Sequence, residues 1–162
     1  MSFRVFTAAM IAAATLTSCD LLSELDSGDP VAVPLTQVRI ADIPTSPNRT
    51  REWDDDGTGP DVFIEIQNTS GAAIAKSEVT SDVDLTQPLT FDIPGPIEAP
   101  SAEARLFVVA FDADGTDLAF AESLGSSQSF SAEELINSDG SLFLRDWRFE
   151  SAGRPATYEV FR

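Results

Sequence analysis

The sequence predicts an all-β fold, an antiparallel β-sandwich with one short helix, preceded by a signal peptide. Two patterns carry the prediction. Apolar and polar residues alternate in short runs at 38–40, 62–66, 89–93, 105–111, 142–144 and 157–161, the period of strands in a packed sheet. Clusters of Gly, Pro, Asn and Asp separate these runs, and short strands punctuated by turn residues belong to sandwiches and barrels. The length, 162 residues, suits one domain and a short tether once an export segment is removed.

The first element is the export signal, expected over 1–18. Arg4 gives it a basic start and residues 7–16 an apolar, alanine-rich run, the layout of a signal peptide. The run is shorter than the roughly 20 apolar residues of a membrane-spanning helix, and no later segment approaches that length. It ends in Leu16-Thr17-Ser18-Cys19, which resembles the bacterial lipobox: an aliphatic residue, two small residues and the cysteine that begins the mature protein. The resemblance implies a diacylglycerol on Cys19 and a further acyl chain such as palmitate. More than one chain is what makes such an anchor stable. Cys19 is the only cysteine, so the folded part has no disulfide and no thiol nucleophile. The expected location is the cell envelope, on the periplasmic or outer side of a bacterial membrane. Asp20 retains lipoproteins at the inner membrane in some bacteria only, so both membranes stay open.

Residues 20–33 are polar and turn-prone without sustained periodicity, and a flexible tether is expected over 19–33. The sandwich is expected over 34–162. Within 105–111, Leu106, Val108 and Ala110 share one face and Phe107, Val109 and Phe111 the other. Both faces are apolar, which predicts a central strand. The single expected helix covers 131–136, where Ser131 and Glu134 have the spacing of a capping box, with Glu133 and Glu134 on its exposed side.

All 27 acidic residues follow Cys19, and loss of Arg4 leaves nine basic ones, a mature net charge of −18. Such a surface repels phosphate backbones, so nucleic acid is not an expected partner. Lys76 is the sole lysine. Bulk acidity also keeps proteins soluble in high salt, so only clustered acids speak to function.

Two clusters do. Asp54, Asp55, Asp56 and Asp61 precede the run at 62–66, and Asp112, Asp114, Asp117 and Glu122 begin where the run at 105–111 stops. Crowded carboxylates repel one another, and a hard cation relieves the repulsion. Calcium takes about six to eight oxygens from flexible loops; magnesium prefers to keep its waters. Zinc would want His or Cys, and the chain has no histidine. Neither cluster is an EF-hand loop: counted from Asp112, position six is Asp117 rather than glycine and position twelve is Ser123 rather than glutamate. The alternative for both clusters is an ordinary solvated turn, since Asp-Gly pairs favour turns for local reasons.

The chain resembles the C2 domain, a calcium-dependent, lipid-binding β-sandwich of eight strands. Asp55 and Asp61 match the family's first loop, an aspartate, five residues, an aspartate and a strand. Asp112, Asp114 and Glu122-Ser123-Leu124-Gly125 look like its third, Asp-x-Asp at the end of an apolar strand followed by an acid, an aliphatic residue and glycine. Pro88-Leu89-Thr90-Phe91-Asp92 stands where the family has a proline, an aromatic and the next strand. The resemblance covers about 34–162 and implies calcium held by Asp55, Asp61, Asp112 and Asp114, with Asp56, Asp117 or Glu122 completing the shell. Departures are Pro60 before Asp61 rather than after it, a third loop about two residues longer, with Asp117 able to replace Glu122, and little counterpart of the family's basic lipid-binding strand.

An enzyme is not expected. There is no histidine for general base work, no nucleophile elbow and no phosphate loop. Two readings remain: a lipid-anchored, calcium-binding sandwich that docks to phospholipid head groups or an envelope protein, and a metal-free structural or interaction lipoprotein whose acids serve solubility.

Overall fold

The computed structural model describes residues 29–43, 58–113, 121–146 and 156–162. Within them the chain forms β1 (Val31–Val33), β2 (Gln37–Ala41), β3 (Val62–Asn68), β4 (Ala73–Lys76), β5 (Leu89–Asp92), β6 (Ile97–Ala99), β7 (Arg105–Asp112), β8 (Glu122–Ser126), β9 (Phe130–Ser131), α1 (Ala132–Ile136), β10 (Ser141–Arg145) and β11 (Thr157–Phe161). One sheet has the order β10-β11-β2-β5; the other runs β4-β3-β7-β8 with β9 also on β7; β1 and β6 pair separately. Every pairing is antiparallel. Apart from the β1–β6 pair and the two-residue β9, eight strands remain among the described residues, four to a sheet. The fold is thus the expected antiparallel eight-stranded sandwich with one short helix.

Strand alternation builds the core. Val38 and Ile40 of β2 and Tyr158 and Val160 of β11 face Val62, Ile64 and Ile66 of β3 and Leu106, Val108 and Ala110 of β7 in one buried cluster. Burying a Val, Ile or Leu side chain contributes about 1.5–3 kcal/mol. β7 is central as expected, paired with β3 on one side and with β8 and β9 on the other. The helix begins as its sequence requires: Ser131 Oγ accepts from the Glu134 N–H at 3.1 Å and Glu134 Oε2 from the Ser131 N–H at 2.7 Å, while Ala132 and Leu135 are buried.

Two serines extend the second sheet by the same device on either flank. Ser77 pairs with Ile64, donating its N–H to the Ile64 carbonyl and accepting the Ile64 N–H on Oγ, both at 3.0 Å. Ser127 does the same for Val108 at 2.8 and 3.0 Å. Each hydroxyl then donates to the next residue's carbonyl, so buried backbone groups find partners where the ladder ends.

The N-terminal side differs from expectation in one respect. The tether was expected to run to Val33, yet Val31–Val33 pairs with Ile97–Ala99 as β1. Val33 is fully buried, because two valines flanking one alanine suffice for a short one-faced strand. The expected signal peptide, Cys19 and the tether through residue 28 lie outside the described residues. Among the described residues no helix is long and apolar enough to cross a membrane.

Strand registers set the two ends. Ala41 pairs with Thr157, which pairs with Arg145, and Ile40 pairs with Leu89. In the other sheet Val62 pairs with Asp112, which pairs with Glu122. The 77–88 connection runs from beside Val62, which pairs with Thr80, to Leu89 at the start of β5, so these strand ends lie at one end of the sandwich. The opposite end carries α1 and the β1–β6 pair.

Candidate metal centre at the acidic end

The site starts from the register of β3 against β7. Residues 62 and 112 are partners, so Asp61, immediately before β3, stands beside the last residue of β7. The Asp61 N–H donates to Asp112 Oδ1 at 3.1 Å, and the Ala113 N–H donates to the Asp61 carbonyl at 2.8 Å. A carboxylate thus takes the place of a carbonyl in the final rung. Asp112 is only 1% exposed, and a buried charge is tolerated only with hydrogen bonds or counter-charges around it.

Asp61 is half-buried and ties in the 77–88 connection: its Oδ1 accepts the Asp82 N–H at 3.0 Å. Two further bonds hold that connection close, a reciprocal Val62–Thr80 pair at 2.8 Å and the Val83 N–H to the Pro60 carbonyl at 3.1 Å. The approach is tight enough to require glycine at 59, where a Cβ would lie 2.1 Å from the Val83 carbonyl oxygen. Asp82 itself has φ 51°, a left-handed conformation that aspartate adopts more readily than most residues.

Glu122 sits opposite Asp112 at the start of β8 and is exposed. Two residues on, β8 bulges. Ala110 pairs with Gly125 but Phe111 with Ser123, leaving Leu124 as the extra residue, 1% exposed in the core. Bulges of this kind re-aim side chains at strand ends. Nearby Asp84 is fully exposed, and its carboxyl is held below the usual aspartate value by the Thr86 hydroxyl and then by the Thr86 N–H, at 2.6 and 2.9 Å.

Of the residues expected to bind metal, Asp61 and Asp112 are brought together, and Glu122 lies on the adjoining strand. Asp55, Asp56, Asp114 and Asp117 lie outside the described residues, as does Asp54. Asp82 was not foreseen; nothing in its local spacing marks it, and its place follows from the β4–β5 connection. Among the described residues no group of three or more His, Cys, Asp or Glu converges in a metal-holding arrangement. What they provide is Asp61 and Asp112 joined through a backbone N–H, with Glu122 on the adjoining strand; the side chains of all three offer oxygen donors, the ligand type of a hard cation.

These strands form a β-sandwich. No family model and no curated protein matches the chain. It is similar to a solved structure described as BON1-C2B, at 13% sequence identity and a TM-score of 0.47, over 84% of this chain and 90% of that one. The strand pairing, not this likeness, establishes the sandwich.

Proposed function

We propose that the chain is a bacterial lipoprotein, anchored through Cys19, whose C2-like sandwich binds calcium at its acidic end. Asp61 and Asp112 found the site, and Asp55, Asp56, Asp114, Asp117 and Glu122 supply further oxygens. Bound calcium gives an acidic domain the positive charge to dock to phospholipid head groups or an envelope protein. The observation that supports this reading is the 3.1 Å bond from the Asp61 N–H to Asp112 Oδ1, which sets one residue of each acidic cluster beside the other. The test is calorimetric titration of the chain from residue 20 onward with calcium chloride, alongside melting with and without chelator. Binding heat and a melting temperature that falls on chelation are expected; neither effect would reject the site.

A second reading, a metal-free structural or interaction lipoprotein, also has an observation in its favour. Asp61 Oδ1 and Asp112 Oδ1 each accept a backbone N–H, work that a purely structural aspartate does. Under that reading chelator leaves the melting temperature unchanged.

A further inference from the structure

The outer face of the β4-β3-β7-β8 sheet holds a groove of about 370 Å³ that the acidic end does not use. Phe107, Val109 and Phe111, alternate residues of β7, form its floor, and Gln67, Asn68 and Ser123 stand among its walls. Four residues of strand separate the two phenylalanines, about 13–14 Å at 3.4 Å per residue. Volumes of roughly 300–1,000 Å³, apolar with a few placed polar groups, are typical of small-ligand sites.

The hydrogen-bonding capacity of the walls is partly committed, and what remains points outward from those bonds. Asn68 Oδ1 accepts from the Ser70 N–H, the Ser70 hydroxyl and the Ala72 N–H, leaving its amide NH₂ as donor. Gln67 donates to Glu65 at 2.8 Å, leaving its carbonyl oxygen as acceptor. Ser123, which also lines the groove, has a buried Oγ without a hydrogen-bond partner among the described residues.

Charge selects among occupants. The described lining of the groove has no ionisable side chain, although the chain as a whole carries −17. The charged residues of the adjoining row answer each other: Lys76 Nζ lies 3.8 Å from Glu65 and 3.7 Å above the Phe63 ring. An anion meets the protein's negative field here, and a cation finds the carboxylate beside the described lining, Glu65, already engaged by Gln67 and Lys76. A bare acyl chain would desolvate the amide and hydroxyl groups without pairing them, at a cost of about 1–3 kcal/mol each. An uncharged molecule with an apolar face and a hydroxylated edge satisfies floor and walls together.

We propose that this groove binds a neutral oligosaccharide, its C–H face against Phe107 and Phe111 and its hydroxyls on Gln67, Asn68 and Ser123. The inference does not depend on calcium. The full chain, kept in an amine-oxide detergent whose head group is not a sugar, is titrated with cellotriose, maltotriose and chitotriose, with calcium and with chelator. At least one trisaccharide should bind in both conditions. Phe107→Ala should weaken that binding tenfold or more, and Gln67→Ala, which disturbs packing less, at least threefold with melting temperature retained. Silence from all three sugars overturns the proposal, as does equal affinity in both variants. Binding of the neutral peptide acetyl-Gly-Phe-Val-amide in place of every sugar overturns it in favour of a peptide groove.

Discussion

At the end of the sandwich that holds α1, strands terminate in apolar plugs and a capped helix; at the other end, Asp112 closes the last rung between β3 and β7 with its carboxylate. The first end buries Ala132, Leu135 and Phe130 in or against the common core, and its stability should be indifferent to ions. The second uses the buried carboxylate of Asp112 where a neutral acceptor would have served the backbone equally well. The contrast separates an apolar scaffold from the proposed site along the strand axis, the arrangement in which binding groups ride on connections held by rigid strands.

The largest effect should come from the capped end. Leu135→Ala removes a fully buried side chain and should cost about 2–5 kcal/mol in denaturant unfolding, by the same amount in calcium and in chelator. A calcium-dependent cost would erase the distinction between the ends. Next is Asp112→Ala, which strips the acceptor from the Asp61 N–H and should cost about 1–3 kcal/mol even in chelator. Asp112→Asn keeps an acceptor oxygen and removes the charge. It should weaken calcium binding at least tenfold by calorimetry while costing less than the alanine variant in chelator. Equal calcium affinity would move the second reading ahead.

Smaller still is Ser131→Ala, which removes one half of the capping box and should lower stability by about 1 kcal/mol, again without regard to calcium. The smallest effect concerns pH. Asp84 is held below its ordinary value by Thr86, so its carboxylate favours the folded state above the unfolded value. That contribution is lost as pH falls through the lower folded one. Thr86→Val should raise the Asp84 titration midpoint seen by carboxyl NMR; an unmoved midpoint would remove Thr86 as the cause.

How much of this was legible in the sequence depended on periodicity. All six alternating runs are strands and the Ser131–Glu134 signal is a capped helix, because strong local patterns coincide with burial. The strands that escaped notice lack such patterns. β8, Glu-Ser-Leu-Gly-Ser, has one large apolar residue, and that residue sits at a bulge. β6 is three residues long, and β1 was hidden in a turn-prone stretch. The adjacency of Asp61 and Asp112 required knowing that β3 and β7 are neighbours, which no local spacing reveals. Asp82 joins them through the 77–88 connection, a tertiary contact with no sequence mark.

Amide NMR during a calcium titration tests the central claim most directly. Shifts should concentrate on Asp61, Asp82, Ala113 and Glu122 and leave residues 131–137 still. Amides at the acidic end that stay in place through millimolar calcium, or shifts spread evenly over both ends, would contradict a metal centre built on Asp61 and Asp112.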